Sequence, residues 1–255
     1  MNSMAPQIHF SVISIFPELV DSFRDNGVVG RACRAGLIQL DAVNLRDYAT
    51  GKRANVDDEP YGGGPGMVMM VEPLRKAIAH ARGSTGGGSH VIHVSPQGRK
   101  FTHQAVAELS QHEHLIFIAG RYEGIDERLI ERDVDSEWSI GDFVVSGGEL
   151  PALMMIDAIA RFVPGVLGDE RSPQEDSFCD GLLDHPHFTR PPEVDGAHVP
   201  EELLTGNHQI IAQWRRQQRL LRTLQRRPEL LESANLSDSD RAFLAEQPGG
   251  FDEER

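Results

Sequence analysis

The sequence predicts an α/β protein, a mostly parallel sheet with a smaller helical region after it. Three observations lead there. Short apolar runs alternate with helix-like runs from Ile8 to about Phe162, and strands alternating with helices build parallel sheets. Glycine-bearing loops follow the apolar runs, as in α/β sheets that bind ligands at their carboxyl ends. After Phe162 the composition shifts to Gly, Pro, Ser and acids, then to a long arginine-rich helical pattern.

Taken in order, "IHFSVISIF" (8–16) reads as a buried strand, and Pro17 suits the first turn of a helix over "PELVDSF". "LIQLDAVNL" (37–45) is a second strand. "VEPLRKAIAHAR" (71–82) spaces Leu74, Ala77, Ile78 and Ala81 at helical intervals and ends in "GSTGGGS" (83–89), a flexible loop by composition. "HVIHVS", "HLIFIAG" and "DFVVS" (142–146) give three more strands, with helices over "THQAVAEL" and "IDERLIERD". "LPALMMIDAIARF" (150–162) is a longer, largely buried helix, and "VPGVLGDERSPQEDSF" (163–178) reads as a linker or mobile loop. In "NHQIIAQWRRQQRLLRTLQRR" (207–227), Ile210, Trp214, Leu221 and Leu224 form one stripe, and Arg215, Arg219, Arg222 and Arg226 share another face. "SDSDRAFLAEQ" opens with a capping box from Ser237 to Asp240.

Composition bounds the function. The 255 residues suffice for one large domain or two smaller ones, and 39% hydrophobic content supports a core. No apolar run reaches the roughly 18 residues of a membrane span, so no membrane partner is expected. Two distant cysteines, Cys33 and Cys179, and an N-terminus without a basic-then-apolar pattern predict a reduced, cytoplasmic protein. A formal charge of −14 argues against a general polyanion binder. Any nucleic-acid contact must come from a local basic face, and residues 215–227 hold six arginines and no acid. A solvated helix face explains the same run.

Several motifs are absent. There is no G-x-G-x-x-G, H-E-x-x-H or C-x-x-C. "PYGGGPGM" (60–67) lacks the Lys-Ser/Thr that an NTPase phosphate loop needs. "HEH" (112–114) has no evident third ligand, so no metal site is expected. What is present is a set of three loops, "SPQGRK" (95–100), "AGRYEGIDER" (119–128) and "SIGDFVVSGGELP" (139–151). Their glycines let main-chain groups approach a ligand edge, which suits an adenine. Three ordinary strand-to-helix turns would look similar.

"YGGGPGM", "SPQGR", "GRYEGIDER", "SIGDFVVSGGELPA", "GVLG" with "EDSF", "GLLDHPHFTRP" and "RRPELL" closely resemble the bacterial tRNA (guanine-N1)-methyltransferases, a family of the SPOUT class. The resemblance covers about residues 8 to 246. It implies a deep trefoil knot around the three loops, S-adenosyl-L-methionine as cofactor, and methylation of guanosine N1 at tRNA position 37, next to the anticodon and preceded by another guanosine. Carried over by motif, the cofactor shell is Ser95, Pro96, Gln97, Gly120, Arg121, Tyr122, Glu123, Gly124, Ile140, Gly141, Asp142, Phe143, Val144, Val145, Gly147, Gly148, Leu150 and Pro151. Asp176 is implied as general base and Arg161 as the cation that stabilises O6. Without the resemblance, Asp176 reads as a helix cap and Arg161 as a cation at a helix end.

The resemblance also implies a homodimer with the active site across the interface. It divides the chain into a cofactor-binding catalytic domain (1–167), a lid (168–175) and a helical tRNA-binding domain (176–255). In "PYGGGPG", Gly62 and Gly66 offer backbone to an extruded guanine, while Asp57 or Glu59 reads a neighbouring base; a tight structural turn is the alternative. Arg215 and Arg219 are the expected phosphate contacts. Competing functions are a SPOUT methyltransferase with another RNA target and a non-catalytic RNA-binding protein.

Overall fold

The computed structural model describes residues 7–50, 54–84, 88–168 and 176–248. The chain divides into two compact units, Met1–Glu170 and Arg171–Arg255.

In the first unit the elements run β1 (Ile8–Ser14), α1 (Pro17–Asp25), α2 (Gly27–Arg34), β2 (Ile38–Asn44), β3 (Asp57–Asp58), β4 (Val68–Met69), α3 (Val71–Gly83), β5 (His90–Lys100), α4 (His103–Leu109), β6 (His114–Ile118), α5 (Glu127–Asp133), β7 (Ser136–Ser139) and α6 (Glu149–Ala160). Five strands form one parallel sheet in the order β2-β1-β6-β5-β7, and β3 and β4 pair as a separate antiparallel ribbon. Side-chain alternation sends Phe10, Val12, Leu115 and Phe117 to one face, where α6 supplies Ile156 and Ile159. Ile13, Ile116 and Ile118 go to the other, against Leu74 and Ile78 of α3. A sheet covered on both faces needs such near-continuous apolar strands.

Three sequence expectations need correction here. The strand predicted at "DFVVS" is a loop: Phe143, Val144 and Val145 are exposed. The fifth strand is instead "SEWS", a polar run in which only Trp138 brings apolar bulk to the core. As an edge strand it needs only one neighbour, so periodicity does not betray it. Helix α2 also went unpredicted, being short and opened by a glycine. The supposed linker from Val163 begins as core, since Val163 and Val166 are buried with the first cluster.

The second unit carries a hairpin, β8 (Glu193–Val194) with β9 (Ala197–His198), then α7 (Glu201–Leu204), α8 (His208–Arg226) and α9 (Asp238–Ala245). Residues 176–200 are largely turns and irregular chain, so helix dominates only from Glu201. Asn207 caps α8, its side-chain oxygen accepting the Gln209 N–H at 3.0 Å. The predicted box from Ser237 to Asp240 caps α9. The core is small: Leu182, Leu220, Leu231, Leu236 and Leu244. The buried face of α8 is Trp214, Leu220 and Thr223, whereas Ile210 is exposed. The predicted stripe was thus rotated, because Thr223 packs inward by bonding the Arg219 carbonyl (2.7 Å) and accepting the Leu183 N–H (2.9 Å).

Candidate active site

Two of the three glycine loops follow the carboxyl ends of β6 and β7, and the other interrupts β5. The first is an excursion within β5. Val94 and Arg99 both register with Trp138 of β7, so residues 95–98 are pushed out of the ladder. Gly98 makes this possible, because a Cβ there would sit 2.4 Å from the Trp138 backbone nitrogen. The second loop follows β6. Tyr122 takes a left-handed φ of 61°, and its hydroxyl lies against Asp57 and Arg46; burial, then the Asp57 charge, raises its pKa. The third loop, after β7, folds back so that the Gly148 N–H donates to the Gly120 carbonyl at 2.8 Å. A Cβ on Gly148 would stand 2.8 Å from Ala119 Cα, so only glycine allows this approach.

Between the loops lies a cleft of about 410 Å³, within the range of small-molecule sites. Every residue of the implied cofactor shell lines it except Asp142 and Leu150. It is also lined by His93, Glu127, Glu137 and Ser139, which the motif reading omitted. His93 sits inside a strand and reads as core by pattern. Its Nδ1 meets Glu137 Oε2 at 2.9 Å, and burial pushes its pKa below the ordinary imidazole value against the pull of that carboxylate.

One buried network fixes the loops to each other. Glu149, 1% exposed, accepts from the Ser14 hydroxyl at 2.7 Å and from Arg121 Nε at 2.8 Å. Arg121 also donates to the Ser146 carbonyl (3.1 Å) and stacks on Phe16. A buried carboxylate with both oxygens bonded is tolerated, and here it ties the end of β1, the second loop and the third loop into one frame.

The glycines of "PYGGGPG" (60–66) sit beside this cleft. Met69 of β4 bridges to Ile125, and its N–H donates to the Gly124 carbonyl (2.9 Å); the Glu123 N–H donates to the Met67 carbonyl (3.0 Å). Gly66 has φ +85°, and a Cβ there would lie 2.4 Å from Glu123 Oε1. Gly62 has φ +89° with open space around it, and Tyr61 next to it is 99% exposed. Asp57 is half-buried on β3 and Glu59 exposed.

Residues 8–233 match the family described as tRNA (Guanine-1)-methyltransferase TrmD. The chain belongs to that family. A tRNA (guanine-N(1)-)-methyltransferase of Aeromonas hydrophila is 57% identical over 92% of this chain and 94% of its own length. The one from Pseudoalteromonas translucida is 58% identical over 92% of each, and that from Vibrio cholerae is 56% identical over 92% of this chain and 95% of its own.

The remaining implied residues fall within or near the matched span. Arg161 is the C-cap of α6 in the first unit, and Asp176 opens a turn in the second; both are half-buried. The lid expected at 168–175 lies outside the described residues apart from Gly168. Arg215 is exposed on α8. Arg219 is only 14% exposed and bonds both oxygens of Asp180, at 3.0 and 2.5 Å. Arg216 bridges Asp180 (2.8 Å) and Asp240 (2.8 Å). Two of the six arginines in this run, Arg216 and Arg219, therefore serve the fold, which charge counting along a helix does not reveal. Beside it, Asp184, His185 and His187 cluster; burial holds His185 below the ordinary imidazole pKa. No helix among the described residues is long and apolar enough to cross a membrane.

Proposed function

We propose that the protein transfers a methyl group from S-adenosyl-L-methionine to N1 of guanosine 37 of tRNA, in the cytoplasm. The observation that carries this reading is the convergence of the 95–97, 120–124 and 140–148 loops on one cleft in a chain of this family. The cleft suits that cofactor. Its volume fits a nucleoside-sized ligand, main-chain groups at Gly120, Gly141 and Gly148 are bare of side chains, and Glu123, Glu127 and Glu137 face a ligand that is cationic. The reading includes a deep trefoil knot at these loops, as expected from membership of this family.

When bound, the cofactor supplies an electrophilic methyl group. The remaining difficulty is the nucleophile, because guanine N1 carries a proton. Asp176 takes that proton, and Arg161 steadies the charge that builds on O6. A carboxylate is a weak base at neutral pH, with each unit of pKa mismatch costing about 1.4 kcal/mol, so the arginine matters as much as the base. Gly62 and Gly66 offer backbone to the extruded base, Asp57 or Glu59 reads the preceding guanosine, and Arg215, with Arg219 behind it, meets phosphate. Residues 168–175 close over the site when tRNA arrives. A homodimer completes it, with Asp176 provided by the opposite chain. Exposed Phe16, Leu19, Leu150 and Met154 on the first unit support an apolar interface.

The decisive experiment is cofactor binding by calorimetry followed by methyl transfer to tRNA transcripts. The expected result is transfer only where guanosine 37 is present, weakened when the preceding guanosine is replaced. Cofactor binding without transfer to any tRNA would instead indicate a binding protein; equal transfer without guanosine 37 would indicate another target.

A further inference from the structure

The loop after Leu183 reads Asp-His-Pro-His, and the fold turns its three polar side chains towards one point. The ligand-type atoms of Asp184, His185 and His187 lie within 4.8 Å of one another. His187 Nε2 is 2.8 Å from Asp184 Oδ2, His185 Nε2 is 3.8 Å from Asp184 Oδ1, and the two imidazole rings stand 4.4 Å apart at 44°. From this geometry we infer that Asp184, His185 and His187 hold a zinc-type divalent cation in the second unit.

Two features of the loop prepare these side chains as ligands. His185 Nδ1 is 3.1 Å from the Pro186 carbonyl, which accepts only if Nδ1 carries the proton. That fixes the tautomer and leaves a lone pair on Nε2, the arrangement by which a metal-binding histidine is usually oriented. The Asp184 carboxylate is held in place by the His185 N–H, which donates to Oδ1 at 2.6 Å, so its Oδ2 points to His187. His185 and Asp184 are half-buried, while His187, 72% exposed and already against Asp184 Oδ2, stands at the solvent side as the third ligand.

Two imidazoles and one carboxylate suit zinc and its neighbours, with a fourth position left for water or a further ligand. Magnesium, which requires oxygen ligands, does not fit this set. The bound ion clamps the turn above it, since the Asp184 N–H donates to Ser177 Oγ (3.0 Å) and the Phe178 N–H to the Leu182 carbonyl (2.7 Å). The site is thus a staple for residues 176–187, and it holds whether or not the methyl-transfer reading does.

The full-length protein, stripped with chelator, is titrated with Zn²⁺ against a chromophoric competitor, with Co²⁺ as an optical probe and Mg²⁺ as control. The expected result is one Zn²⁺ per chain, ligand-field bands with Co²⁺, a raised melting temperature for the Zn²⁺ form, and no competition by Mg²⁺. His187→Gln, at an exposed position that does not endanger folding, weakens Zn²⁺ binding at least about tenfold, and Asp184→Asn does the same. Absence of stoichiometric uptake overturns the inference. So does uptake that is unchanged in both variants, which would place the ion at other surface histidines.

Discussion

The first unit packs apolar residues on both faces of a five-stranded sheet. The second encloses five leucines and adds an ion network of Arg216, Arg219, Asp180 and Asp240. The contrast follows from size. A short segment buries too little apolar surface to hold irregular chain by packing alone, so charge-assisted hydrogen bonds supply part of the order. The same contrast runs through the proposed chemistry, in which the rigid sheet ends hold the cofactor and the more polar unit brings the base.

The largest expected effect separates those two roles. Asp176→Asn is expected to lower methyl transfer by about 10²–10⁴-fold, the typical worth of a general base, while cofactor affinity at the first unit's cleft stays the same. Single-turnover rates beside calorimetry decide it, and an unchanged rate removes Asp176 from the chemistry.

Next comes packing. Phe117→Ala, in the centre of the sheet, is expected to cost about 3–5 kcal/mol and Leu220→Ala about 2–5 kcal/mol. The two tryptophans report separately, Trp138 in the first unit and Trp214 in the second. Phe117→Ala should therefore lower the Trp138 midpoint in urea and Leu220→Ala the Trp214 midpoint. Identical shifts of both signals by both variants would mean that the units unfold as one.

Acid acts on the two units through different groups. The hydrogen bond from Arg216 holds Asp240 down to about 2 from its ordinary 3.8. A depressed carboxylate stabilises the fold above about pH 4, and that contribution is lost as pH falls towards 2. In the first unit, burial and the stacked His9 ring hold His114 to about 4 from 6.5. Between those values the unfolded chain takes up a proton that the folded chain refuses, so stability falls as pH drops through that window. The Trp138 midpoint should thus decline through that window. The Trp214 midpoint, which His185 also lowers there, should go on declining below about pH 4, and Asp240→Asn should flatten only that last part. The smallest effect is at the box that caps α9, where Ser237→Ala should cost about 1 kcal/mol, seen in the Trp214 signal alone.

Much of the architecture was legible from the chain. Four of the five sheet strands and most of the helices announce themselves by apolar period, and the α9 box by its residue types. The strand at 136–139 escaped because an edge strand needs one partner and little apolar surface. "DFVVS" misled for the converse reason: a loop that lines a cleft carries apolar side chains without pairing. In the cleft, the glycine loops were visible as motifs, but His93 and Glu137 were not, since a histidine within a strand and a glutamate within a polar run carry no local signal.

Sequence alone determined the family, the alternating α/β order and the residue types at the cleft, because these depend on local chemistry and on motifs read along one chain. Only the tertiary structure decided which arginines are occupied by Asp180 and Asp240, that Glu149 ties three segments together, and that Asp184, His185 and His187 converge. Each of those depends on distances between side chains whose spacing along the chain does not set their spacing in the fold.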